Sequence, residues 1–155
     1  MNRRCFGGDV LLFKQYSFES IGRLKDVELA PGYISNSDLW KVYEACDMVV
    51  FPYLRGTTSG AIHLAYAFRR PVIVSDLECF RDVVVDGETG LVVPRGDSRA
   101  LADAIRRMCE DTAMRIRMGE EGYRVACSRR YAWDEIARRT GDVYRDVLPG
   151  GGRPE

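Results

Sequence analysis

The run Gly56-Thr57-Thr58-Ser59-Gly60-Ala61 lies between a β-branched apolar segment ending at Pro52 and the helical pattern "IHLAYAF", which Pro71 cuts off. Hydroxyl residues flanked by glycines at a helix start suit one kind of chemistry. The first turn of a helix leaves backbone N–H groups unpaired and carries about half a positive charge, so it attracts an anion such as phosphate. Gly56 and Gly60 would let a ligand approach the backbone, and Thr57, Thr58 and Ser59 add hydroxyl donors. The structural alternative is that Thr58 or Ser59 caps the helix while the glycines satisfy a tight turn. The run is neither G-x-x-x-x-G-K-[ST] nor G-x-G-x-x-G, so neither of those phosphate motifs is supported. Arg55, just before it, either pairs with a phosphate or points into water.

Such an entrance works only if a strand delivers it to the carboxyl edge of a sheet, where open α/β sheets bind ligands. Short β-branched runs at 10–13, 27–30, 48–52, 72–75 and 91–93 alternate with helical periodicity, the pattern of βαβ units and a doubly wound, Rossmann-like parallel sheet. "MVVFP" is apolar throughout, as a strand covered on both faces should be. A helix capped by Asn36 or Ser37 puts Leu39, Val42, Tyr43 and Cys46 on one face. The next runs over 59–68, with Arg69 and Arg70 at its negative end. A short helix is expected over 80–84, and "VDGETG" reads as a turn. After Asp97, which with Ser98 is a candidate cap, the pattern is helical: Leu101, Ala104, Ile105 and Met108 share a face, and further helices cover 113–128 and 133–147. The expected organisation is one domain over 1–148 and a frayed tail over 149–155.

Composition bounds the function. Twenty-three Lys and Arg balance 23 Asp and Glu, which excludes the basic excess of a nucleic-acid binder. The interleaved charges over 106–145 read as solvated helix faces rather than a lipid-binding surface. Five scattered cysteines, without a Cys-x-x-Cys pair, and the single histidine His63 argue against a zinc site or a disulfide framework and for a cytoplasmic location. Neither a signal h-region nor a run long enough to cross a bilayer is present.

The ordered set "GYISNSDLWKVYEACDMVVFPY", "TTSGAIHLAYAFRRPVIVSD", "VVVDGETGLVVPRGD" and "YAWDEIA" resembles the C-terminal, donor-binding half of the retaining GT-B glycosyltransferases of the group 1, family 4 type. The resemblance spans roughly 27–148. It implies that Ser59, Gly60 and Ala61 meet the diphosphate of a nucleotide-sugar through backbone N–H groups and that Gly32, Tyr33 and Ile34 border the base. Thr58 and Arg55 join the candidate site on their own chemistry, Arg55 standing where the family often has an acidic residue. The diphosphate sugar is a substrate, and no cofactor or metal is implied. Stabilising the departing diphosphate is then the main catalytic demand.

The chain departs from that pattern at several places. Leu64 and Gly56 stand where the family usually carries two glutamates, one of which binds the donor ribose. Glu78 and Cys79 replace a usual glycine pair, and Asp82 stands where glutamate is common. Arg23 and Lys25 in "GRLKD" lie too late to be the family's cationic pair and read as a solvated helix end. His63, next to the lost ribose contact, reads as a packing or surface residue. The resembling enzymes also need an N-terminal acceptor domain, for which 155 residues leave no room. The expectation is therefore a donor module, incomplete or weakly active alone, that is either a fragment of a longer glycosyltransferase or works with a separate N-terminal acceptor domain or as a homo-oligomer. The alternative is a non-catalytic domain that docks another chain through Trp133, Ile136 and Tyr144. A receiver-like domain is disfavoured, since the early acidic pair that holds its metal is missing.

Overall fold

The computed structural model describes residues 34–56, 60–128 and 132–147. The expected strands at 10–13 and 27–30, the segment 22–26, Gly32, Tyr33, Thr57, Thr58, Ser59 and the tail lie outside the described residues. The described elements run α1 (Asn36–Ala45), β1 (Val49–Phe51), α2 (Gly60–Ala67), β2 (Val72–Ser75), α3 (Glu78–Arg81), β3 (Gly90–Val93), α4 (Ser98–Glu110), α5 (Thr112–Ala126) and α6 (Trp133–Val147). The strands form a parallel sheet in the order β1-β2-β3, pairing Val49 with Val72, Val50 with Ile73 and Val72 with Gly90.

Alternation along these strands builds two cores, one on each face. Val49, Phe51, Val72 and Val74 pack with Tyr43 of α1, Ile62 and Tyr66 of α2 and Phe80 of α3. Their neighbours Val50, Ile73, Leu91 and Val93 pack on the other face with Ala104 and Met108 of α4 and Met114 and Met118 of α5. This is the expected doubly wound arrangement, and it explains why β1 and β2 carry no polar alternation up to Ser75.

Two glycines bring α5 against α2. A Cβ on Gly119 would stand 2.2 Å from the carbonyl oxygen of Arg69, and one on Gly122 would stand 2.3 Å from the Tyr66 ring. Tyr66 in turn donates to the Thr89 hydroxyl at 2.8 Å, which accepts from the Val85 N–H at 2.9 Å, so α2 is tied to the turn that leads into β3. Asp97 caps α4 as expected, taking the N–H groups of Arg99 and Ala100.

Three local expectations are corrected. The N-cap position of α1 is Ser35, ahead of Asn36 and Ser37, and its hydroxyl turns to the Asp38 carboxylate instead of a backbone N–H. The short helix α3 starts at Glu78 and ends at Arg81, because Val83 and Val84 leave it to enter the core. Arg69 and Arg70 do more than face the negative end of α2. Arg69 takes a left-handed φ of 54° and closes a Schellman motif, in which its N–H bonds Tyr66 O and that of Arg70 bonds Ala65 O. The Arg70 guanidinium reaches across to the last carbonyls of α1, Tyr43 O at 2.7 Å and Glu44 O at 2.9 Å.

Candidate functional site

The carboxyl ends of the three strands open into one cleft of about 580 Å³. After β1 it is lined by Leu54, Arg55 and Gly56, after β2 by Leu77, Glu78, Cys79 and Asp82, and after β3 by Arg95. Parallel register sends every strand out at the same edge, so residues far apart in sequence share one wall.

The start of α2 follows the Gly56 wall. Gly60 is exposed, and a Cβ built on it would meet no described atom within 4 Å. Ala61 is half-buried, Ile62 goes into the core, and the first turn of α2 contains no acidic residue to compete for an anion. Ile34, the described member of the expected base-bordering loop, is half-buried just ahead of α1. In that first turn Asp38 bonds Lys41 and Ser35, and these hydrogen bonds, Lys41's first, hold its carboxyl below the usual range.

The charges of the cleft are mixed. Arg55, Arg95, Glu78 and Asp82 are all exposed, and among the described residues none of the four side chains makes an ion pair. The carboxylate nearest in sequence to β2, Asp76, instead accepts the backbone N–H of Arg95 at 2.8 Å. His63 is half-buried on α2, and burial lowers its pKa from the ordinary histidine value. No group of three or more His, Cys, Asp or Glu among the described residues is placed to hold a metal ion. No described helix is long and apolar enough to cross a membrane.

Of the expected site residues, the structure brings Gly60 and Ala61 to the head of α2 and Arg55 to the adjoining wall. Thr58, Ser59, Gly32 and Tyr33 lie outside the described residues, as do Arg23 and Lys25. Sequence reasoning missed Arg95 and Leu54, and it named Glu78, Cys79 and Asp82 only as departures from a pattern. Leu54, Glu78 and Arg95 each follow a strand end by two or three residues, a signal that marks the edge of the sheet but not which of its residues meet, and Asp82 joins them only across α3.

The sequence profile of the glycosyl transferases group 1 family matches residues 12–111. The chain belongs to that family. It is 33% identical over 123 residues to a phosphatidyl-myo-inositol mannosyltransferase of Mycobacterium leprae, covering 79% of this chain and 32% of that one. It is also 33% identical to a D-inositol 3-phosphate glycosyltransferase of Corynebacterium glutamicum, over 72% of this chain and 26% of the relative. The chain thus spans about a quarter to a third of the length of these relatives. Among solved structures it resembles the sucrose-phosphate synthase of Thermosynechococcus elongatus, with a TM-score of 0.71 and 31% identity over 79% of this chain and 30% of that one. A likeness in fold extends to Anabaena HepE, solved in complex with UDP-glucose, at a TM-score of 0.72 and 21% identity over 83% of this chain and 35% of HepE. These neighbours bear out the GT-B glycosyltransferase resemblance. Of the two positions that usually hold glutamate in this family, Leu64 packs against the core around Ile62 and Tyr66, while Gly56 stands exposed in the cleft wall.

Proposed function

We propose that this chain is the donor-binding module of a retaining glycosyltransferase and that its cleft takes a nucleotide-diphosphate sugar. In this reading the backbone N–H groups of Ser59, Gly60 and Ala61, helped by the Thr58 hydroxyl and the Arg55 guanidinium, hold the diphosphate. Gly32, Tyr33 and Ile34 border the base. The observation that carries it is the exposed head of α2, open at Gly60, beside a cleft at the carboxyl ends of three parallel strands in a glycosyltransferase-family chain. Negative charge grows on the diphosphate as the sugar–oxygen bond breaks. Backbone N–H groups at a helix start stabilise that charge without reorganising, and the Arg55 guanidinium adds a charge-assisted contact. HepE, a neighbour in fold, has been solved with UDP-glucose, which supports the ligand class.

In this reading the module works together with an acceptor-binding domain and is weakly active without it. Among the described residues Cys46, Cys79, Cys109 and Cys127 form no disulfide, which fits a reducing, cytoplasmic setting. Calorimetric titration with UDP and with GDP tests the donor claim. Binding at millimolar ligand or below, lost in Gly60→Leu because the side chain fills the approach to the backbone, is the expected outcome. Absence of heat with either diphosphate at millimolar concentration would sink the claim.

One observation favours a second reading, a non-catalytic docking subunit. No residue of α6 is buried, and Trp133, Ile136, Val143, Tyr144 and Val147 fall within an arc of roughly 100° at 100° per residue. The opposite face is laced by ion pairs of Glu135 with Arg138 and Arg139 and of Asp142 with Arg138 and Arg145. Sizing the purified chain with and without nucleotide separates the readings. Self-association indifferent to nucleotide, with no diphosphate binding, favours docking.

A further inference from the structure

The β3–α4 turn holds Arg95 in a way that leaves its side chain for a ligand. Two carboxylates of the strand-end loops, Asp76 and Asp97, are engaged by backbone N–H groups. Asp76 Oδ1 accepts the backbone N–H of Arg95 at 2.8 Å, and Asp97 Oδ1 accepts the N–H groups of Arg99 and Ala100 at 3.0 and 2.9 Å. The turn itself is closed by Asp97 N–H on Pro94 O and by Gly96 at a φ of 78°, a left-handed conformation that favours glycine. The backbone is therefore fixed by contacts that do not involve the guanidinium.

The same turn adjoins the loop that carries Arg55: a Cβ on Gly96 would lie 3.8 Å from Leu54 Cδ2. Two guanidiniums, Arg55 and Arg95, thus line one cleft from neighbouring loops, and neither is ion-paired among the described residues. Two planar donor forks suit two linked phosphates better than a single carboxylate. Glu78 and Asp82, which line the cleft from α3 and its C-cap, repel an anion toward the arginines and leave carboxylate acceptors for hydroxyl groups.

We propose that Arg95 is a second anion-binding residue of the cleft, gripping the diphosphate of the donor together with Arg55. The proposal rests on the donor-binding reading above and goes beyond it, since none of the site residues implied by the helix start or by the family resemblance lies in this turn. In it the α3 wall receives the uncharged, hydroxyl-rich part of the ligand.

The test compares UDP with uridine, and GDP with guanosine, on the full chain carrying Arg95→Ala, Arg95→Gln or Arg95→Lys. Loss of one charge-assisted contact weakens diphosphate binding about tenfold or more in the Ala and Gln variants. Nucleoside binding stays unchanged, Lys restores part of the affinity, and the salt dependence of diphosphate binding becomes shallower in the neutral variants. Unchanged UDP and GDP affinity in Arg95→Ala and Arg95→Gln overturns the proposal while leaving the donor-binding reading intact. Equal weakening of nucleoside and diphosphate also overturns it, because that marks a structural role. Failure of the unaltered chain to bind either diphosphate overturns the donor-binding reading and this proposal together.

Discussion

At the carboxyl end of α2 each arginine has a structural partner, whereas the arginines of the cleft at its amino end have none among the described residues. Arg69 pairs with Glu120 at 3.0 Å and lies 3.9 Å above the Tyr123 ring of α5, and Arg70 bonds two carbonyls of α1. Arg55 and Arg95 are exposed in the cleft wall without an ion pair. Composition treats these four residues alike. Their surroundings separate a charge that fastens one helix to another from a charge left for a ligand.

The fastened end breaks most severely at Gly119. Its place against the Arg69 carbonyl leaves no room for a methyl group, so Gly119→Ala should lower unfolding stability in urea by about 2–3 kcal/mol. That loss outweighs the roughly 1 kcal/mol that alanine gains over glycine within a helix. Arg70→Ala should cost about 1–2 kcal/mol in the same measurement, by removing two charge-assisted hydrogen bonds from the end of α1, and should leave nucleotide affinity unchanged. A large loss of affinity in Arg70→Ala would erase the distinction between the two ends.

Arg69→Gly sharpens the comparison by balancing opposing terms. Relief of the left-handed φ returns about 1 kcal/mol, while the exposed ion pair and the ring contact together contribute about the same. Melting within a degree or two of the unaltered chain is the expected result. His63 gives the smallest effect. Its folded pKa is lowered by burial, so the unfolded chain takes up the proton first as pH falls below about 6.5. Stability should therefore decline from that pH downward, until the folded histidine is also protonated. His63→Gln should flatten the decline in a pH series of urea unfolding curves.

Much of the fold was legible because strand and helix periods are local. The expected strand at 72–75 and the helix at 133–147 agree with β2 and α6 residue for residue, and β1 and β3 differ by a residue at their ends. Local signals failed where tertiary contacts decide. Val83 and Val84 continue an apolar pattern but serve the core below α3, and Ser35 is one of three polar residues able to begin α1. The left-handed Arg69 occupies a position where glycine is the usual solution, and α5 supplies the compensating contacts. Within the site, the head of α2 and Arg55 could be read from spacing. Arg95 could not, because its place beside Arg55 follows from three parallel strands ending at one edge and from the packing of Gly96 next to Leu54.

The central claim is that a diphosphate settles at the amino end of α2. Backbone amide chemical shifts, recorded while the full chain is titrated with UDP and with GDP, test it most directly. The largest changes are expected at Gly60, Ala61, Arg55 and Arg95, with Arg69, Arg70 and the α5 residues Gly119 and Gly122 nearly still. Shifts concentrated at the Arg69 and Arg70 end or along α6, or no shifts at millimolar ligand, would contradict it.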